Sequence, residues 1–169
     1  MGSKVTVKFV LLGDGKEKPA LQKQAAAMKL DNVLFLPPVA KTSMSATLAG
    51  ADAGLAILKP IEEYKTTYPN KVFDYMAAGK PVILAIDGVI REVVEAAGCG
   101  IFAQPGDPSA LAHATQTLAA DRARAQQMGL AGRKYLEEHF DRSALADRLV
   151  GIMENMVTRK LKPVTTTRL

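Results

Sequence analysis

The stretch Tyr68-Pro-Asn-Lys-Val-Phe-Asp-Tyr-Met-Ala-Ala-Gly-Lys-Pro-Val82 decides how this chain is read. It sets Pro69 at a helix start, Asp74 one turn in, and Gly79 and Pro81 as a stop before an apolar strand. A helix N-terminus presents unpaired N–H groups and a partial positive charge, so it suits a phosphate. Asn70, Lys71 and Asp74 are three and four residues apart and share one face. That face can offer amides and a cation to a diphosphate, and a carboxylate to the hydroxyls of a ribose. An ordinary α/β helix with a solvated polar face has the same spacing, so spacing alone leaves both readings open.

Working outward, apolar runs alternate with helical patterns. Val5 to Leu12 reads as a buried strand that ends in the tight turn Gly13-Asp14-Gly15. A helix from Lys18 to Lys29 follows, with Leu21, Ala25 and Met28 on one stripe. Asn32 to Leu36 is a strand stopped by Pro37-Pro38, and Ser43 to Gly50 a short helix. The strand Ala53 to Leu58 ends at Lys59-Pro60, and the polar loop Ile61 to Thr67 leads into the helix above. Beyond it come the strand Pro81–Ala85, the helix Val89–Ala97, opened by Arg91 and Glu92, and the strand Cys99–Ala103. Asp107-Pro108 is a capping carboxylate followed by a proline in the first helical position. Asp121 opens a further helix with Met128 and Tyr135-Leu136 inward, and Leu145, Leu149, Ile152, Met153 and Met156 mark a last one, with all three methionines as core fillers. This alternation predicts an α/β fold, a Rossmann-like parallel sheet with helices on both faces. In such sheets ligands bind beyond the carboxyl ends of the strands. The turn after Gly13, the Pro37-Pro38 turn, the Lys59–Pro69 loop and the Ala85–Val89 loop all follow strands and converge on that rim.

Composition bounds the rest. The 169 residues suit one domain, and 48% apolar content with 5% aromatic residues reads as an Ala/Leu/Val-rich globular chain. Of the net charge of +5, Arg159, Lys160, Lys162 and Arg168 contribute four, with no acid among residues 158–169. The expected organisation is a domain over 1–157 and a basic, disordered tail over 158–169. A charge excess confined to a tail without aromatics argues against a nucleic-acid partner. No apolar run approaches the roughly 18 residues a membrane span requires. Cys99 alone cannot make an internal disulfide or a cysteine cluster, and His113 and His139 sit in helices without ligand-spaced partners. A metal is not expected, and the setting is read as cytoplasmic.

The residues resemble the C-terminal, donor-binding half of a retaining GT-B glycosyltransferase of family 4, over about residues 5 to 155. The segment Thr66 to Val82 is the most specific piece. Phe9-Val-Leu-Leu-Gly-Asp-Gly15, Asn32-Val-Leu-Phe-Leu-Pro37, Ala51-Asp52-Ala53 and Glu92-Val93-Val94 support it. Within the family, Pro69 to Gly79 is most similar to bacterial surface-polysaccharide enzymes that resemble the N-acetylfucosamine transferases of lipopolysaccharide and capsule pathways. The resemblance implies a nucleotide-diphosphate sugar donor, UDP-linked, and no metal or other cofactor. It places the ribose contact on Asp74 and the diphosphate on the amides around Asn70 and Lys71, after Pro69. The base falls on backbone near Leu36 and Pro37, and Gly13 and Thr67 border the donor. The family's other acidic position falls on Thr66, which can bond a sugar hydroxyl but adds no charge.

The family's first strand, with its diphosphate-binding Arg and Lys, has no counterpart here, nor has the N-terminal domain that binds acceptor. The chain therefore reads as a fragment, inactive alone, whose Met1-Gly2-Ser3 fits an added start. Loss of a central strand leaves two edges, so the sheet is expected either to close up or to be completed by a second copy as a homodimer. The whole protein would act on a polysaccharide or lipid-linked acceptor, peripheral to a membrane. Three other readings remain: a GT-B sugar epimerase, a non-catalytic Rossmann-like nucleotide-binding or interaction module, and a dinucleotide-binding redox domain. The last is weak, because Gly13-Asp14-Gly15 lacks the third glycine of that fingerprint.

Overall fold

β4 (Val82–Ala85) is buried along its whole length and organises what surrounds it in the computed structural model, which describes residues 6–160. It pairs in parallel with β3 (Gly54–Ile57) and β5 (Gly100–Phe102). Leu55, Ile83 and Ile101 stand in register across the three strands, as do Gly54, Val82 and Gly100. Alternation sends these two rows to opposite faces. On the first, Ile83 packs with Ala114 and Leu118 of α5 (Pro108–Ala120) and with Ala125 and Met128 of α6 (Arg122–His139). On the second, a Cβ on Gly54 would overlap the Tyr75 ring of α3 (Asn70–Ala77), and one on Gly100 would lie 2.8 Å from Val94 of α4 (Val89–Ala96). Helices therefore cover both faces, which explains why β4 is apolar at every position.

β1 (Phe9–Leu12) pairs in parallel with β2 (Val33–Leu36), with Phe9 opposite Val33 and Leu12 opposite Leu36. α1 (Lys18–Ala27) crosses between them, and α2 (Met44–Ala49) connects β2 to β3. The sheet does not close up as one of the two expectations had it: β1–β2 and β3–β4–β5 are separate ladders. The free edge of β3 is engaged locally, since the Tyr75 hydroxyl donates to the Leu55 carbonyl at 3.3 Å. Val10 and Leu11 of β1 are both exposed.

Local signals in the sequence become real caps. α3 ends in a Schellman motif, where Gly79 at φ 65° lets its own N–H reach Met76 O and that of Lys80 reach Tyr75 O, both at 2.9 Å. The Asp107 carboxylate accepts from the amides of Ser109 and Ala110 at 2.8 and 3.0 Å. Cys99 is fully buried, and burial pushes its thiol pKa up to about 11.

The chain divides into two compact units after Arg133. In the second, Tyr135 packs on His139 with ring centroids 4.3 Å apart. α7 (Arg142–Lys160) carries Leu145, Leu149, Ile152, Met153 and Met156 at its surface, 44–62% exposed. Met153 and Met156, expected as core fillers, are exposed. The α1 stripe is likewise uncovered, with Leu21 and Met28 exposed. α7 reaches Lys160, and the remainder of the expected tail, 161–169, lies outside the described residues, as does Val5. No described helix is long and apolar enough to cross a membrane.

Candidate functional site

α3 begins where the sequence places it. Pro69 is its N-cap at φ −68° and ψ 122°, and no side chain caps the helix. Tyr68 before the cap stacks toward Phe73 with centroids 6.3 Å apart, a hydrophobic staple that fixes the entry of the chain. The Val72 N–H donates to Pro69 O at 3.0 Å, whereas those of Asn70 and Lys71 find no acceptor among the described residues. Val72 and Met76 are fully buried, so the opposite face turns outward, and Asn70, Lys71 and Asp74 are all exposed. Lys71 and Asp74 form no ion pair with each other. Two free amides, a free ammonium and a free carboxylate thus share one solvent-facing turn.

Thr66 and Thr67 arrive from a 3-10 helix over Glu62–Thr66. Their hydroxyls both donate to Glu63 O, at 3.2 and 3.4 Å, which leaves their oxygen lone pairs open to a donor. Lys65 bonds Glu62 at 2.8 Å, and that bond raises the ammonium pKa above its ordinary value. The Glu62 charge is therefore engaged on the turn itself. Lys59, Tyr64 and Lys65 line an open cavity of about 260 Å³ with Glu62, Asp87 and Gln104.

Gly13 and Pro37 form a second group, at the carboxyl ends of β1 and β2. The Gly13 N–H donates to Leu36 O at 3.2 Å, and Lys18 Nζ bridges Gly13 O at 2.6 Å and Leu36 O at 2.9 Å. The Leu36 carbonyl already accepts two bonds, and Pro37 has no N–H. The backbone left for a base edge is the Pro37 carbonyl. No hydrogen bond or ion pair joins this group to the one around α3 among the described residues.

Two features escaped the reading of the sequence. Lys18 caps the ends of two strands; its one signal is that it opens a helix right after a Gly-Asp-Gly turn, which folds it back over β1. Arg91 pairs with Asp87 at 3.4 Å and Glu95 at 2.7 Å, not with Glu92, and its guanidinium lies 3.9 Å above the Phe102 ring. The Asp87 pKa is lowered, first by the Gly88 N–H and then by Arg91.

Comparison with known proteins supplies the family. Among curated proteins none matches the chain. Of solved structures, a sucrose-phosphate synthase from Thermosynechococcus elongatus superposes with a TM-score of 0.74 at 23% identity, over 89% of this chain and 38% of that one. HepE from Anabaena, solved in complex with UDP-glucose, gives 0.72 at 23% identity, over 88% and 41%. WaaG, a glycosyltransferase involved in lipopolysaccharide biosynthesis, gives 0.61 at 18%, over 79% and 34%. These likenesses establish a GT-B C-terminal fold, and this chain spans about two fifths or less of the length of each. The family model for glycosyl transferases group 1 matches residues 2–121, more than half of the sequence. The chain therefore belongs to the group 1 glycosyl transferases.

Proposed function

We propose that this chain is the donor-binding part of a retaining glycosyltransferase of family 4 that uses a UDP-linked sugar. The single observation that carries the reading is the start of α3, where the unpaired amides of Asn70 and Lys71 share a solvent-facing turn with Asp74. The amides, the partial charge of the helix end and the Lys71 ammonium stabilise the leaving diphosphate as the glycosidic bond opens to an oxocarbenium-like state. Asp74 accepts from the ribose hydroxyls, Thr66 and Thr67 border the sugar, and Gly13 and Pro37 border the nucleotide. HepE, which shares the fold, binds UDP and UDP-glucose. No metal enters this mechanism, since backbone and lysine supply the positive charge.

The whole protein is proposed to pass the sugar to a polysaccharide or lipid-linked acceptor held by an N-terminal domain. Similarity to N-acetylfucosamine transferases favours an N-acetyl or deoxy sugar, as does the uncharged Thr66. The enzyme would work in the cytoplasm, at the membrane surface where lipid-linked acceptors lie. Among the described residues the outer edge of β1 pairs with no strand, which favours pairing with a second copy of the chain.

Calorimetric or NMR titration with UDP tests the core of the reading. Saturable binding that is lost in Asp74→Ala supports it. Absence of binding by the folded chain at millimolar UDP, or unchanged affinity in the variant, refutes it.

A further inference from the structure

The 3-10 helix Glu62–Thr66 delivers Thr66 and Thr67 to the start of α3, yet among the described residues every hydrogen bond of residues 61–67 is local. The Ile61 N–H donates to Lys59 O at 2.9 Å, that of Tyr64 to Ile61 O at 3.2 Å and that of Thr67 to Tyr64 O at 3.2 Å. The threonine hydroxyls stay on Glu63 O, and Lys65 stays on Glu62. None of these bonds sets the height of the segment above the sheet.

The turn between β4 and α4 meets it instead. A Cβ built on Gly88 would overlap the Lys65 carbonyl oxygen and lie 2.5 Å from its Cα, so the two backbones touch where a side chain would stand. Gly88 adopts φ 91° and ψ −149°, a region that side chains exclude. The turn is also braced from below. Asp87 Oδ1 accepts the Gly88 N–H at 3.0 Å and Arg91 at 3.4 Å, and Arg91 is held by Glu95 and seated on the Phe102 ring of β5. An open cavity lined by Lys59, Tyr64, Lys65 and Asp87 lies beside this contact.

We propose that Gly88, held by Asp87, is a positioning residue for donor-sugar recognition. The bare Gly88 backbone is the seat that fixes Lys65, and with it where Thr66 and Thr67 stand relative to Asn70 and Asp74. The inference rests on the reading of α3 as the nucleotide site, and it separates two parts of that site. The nucleotide is held by α3 itself, while the sugar is held by residues whose place depends on Gly88.

Amide hydrogen exchange in Gly88→Ala and Asp87→Ala tests the seat without any ligand. Exchange at Tyr64 and Thr67 should quicken by about tenfold while Val82 and Ala103 in the β4–β5 ladder keep their protection. Should Gly88→Ala lose protection throughout, Asp87→Ala, which removes the acceptor of the Gly88 N–H and adds no Cβ at 88, decides alone. Unchanged exchange at Tyr64 and Thr67 in Asp87→Ala then overturns the proposal. Titration with UDP and with UDP-glucose gives the functional arm. Affinity for UDP-glucose should fall by about tenfold, the worth of one hydrogen bond, with UDP held within about twofold. An equal fall for both probes marks Gly88 as merely structural and overturns the proposal. Failure of the unaltered chain to bind UDP refutes the nucleotide site, and the exchange result still decides whether Gly88 seats Lys65.

Discussion

The Tyr75 hydroxyl donates to the Leu55 carbonyl at 3.3 Å, on the side of β3 that faces away from β4. Gly54 and Leu58 direct their N–H groups to Pro81, just before β4, and to Ala85 at its end, so Leu55 between them turns to the other edge. Tyr75 also lays its ring against Gly54, where a Cβ would overlap it. One residue of the candidate nucleotide helix thus both packs on β3 and satisfies an acceptor that no strand reaches. Tyr75→Phe keeps the ring and deletes the bond, and should lower stability by about 0.5–1.5 kcal/mol in urea unfolding.

Alkaline pH gives an independent reading of the same contact. Burial, and secondarily the Asp74 charge, raise the Tyr75 phenol above its ordinary 10.0. Folding therefore favours the neutral phenol. That contribution is complete below pH 10 and is lost as pH rises through the folded value. Tyr75→Phe should flatten this part of the stability profile when compared in a Cys99→Ala background. An unaltered alkaline arm would show that Tyr75 ionises as freely folded as unfolded.

Asp74 is exposed and its side chain makes no hydrogen bond or ion pair among the described residues, so its role is separable from stability. Asp74→Ala should change unfolding free energy by less than about 0.5 kcal/mol, as surface substitutions do. It should weaken UDP by about 1.5–3 kcal/mol, the range for hydrogen bonds to a charged group. Asp74→Asn keeps one acceptor oxygen and should fall between. Calorimetry on the three proteins checks the order; an Asn variant as weak as Ala would mean that charge, not acceptor geometry, matters there.

These residues also show what could be read in advance. The segment Tyr68–Val82 carries its structure locally, through a proline cap, an aromatic staple and a glycine stop, so a short window contains the whole argument. The same holds for Asp107-Pro108. Strand identity was legible for β3, β4 and β5 because both faces are covered and the sequence is apolar throughout. What was not legible depends on contacts distant in sequence. Gly88 looks like any Asp-Gly turn until Lys65, 23 positions earlier, is seen against it. Arg91 could pair with Glu92 or Glu95 by proximity, and helical spacing chose the latter. The apolar stripes of α1 and α7 predicted burial, but periodicity reports only that a face is apolar, not that anything covers it.

Cys99 illustrates a prediction that burial alone fixes. Its thiol pKa rises from 9.0 to about 11, so the folded chain holds almost no thiolate at neutral pH. Reaction with an aromatic disulfide at pH 8 should be at least about 100-fold slower in the native protein than in denaturant, if local opening limits it. Stability from the neutral thiol is complete below pH 9 and is lost as pH rises to about 11. Rapid native labelling would contradict the burial.

Two glycines on helices separate propensity from close approach. Gly151 on α7 has nothing within 4 Å of a built Cβ, whereas a Cβ on Gly129 of α6 would overlap the Gly79 carbonyl oxygen. Alanine is favoured over glycine in a helix by about 1 kcal/mol at either place. Gly151→Ala should therefore stabilise by about 0.5–1 kcal/mol. Gly129→Ala should destabilise by about 1–3 kcal/mol, because the backbone it strikes cannot swing aside. The carbonyl it strikes belongs to the turn that ends α3, so the strain acts on the candidate nucleotide helix. UDP affinity should then weaken in Gly129→Ala and stay unchanged in Gly151→Ala, as paired denaturation and titration would show. Equal stabilisation by both substitutions would mean that α6 does not press on the end of α3.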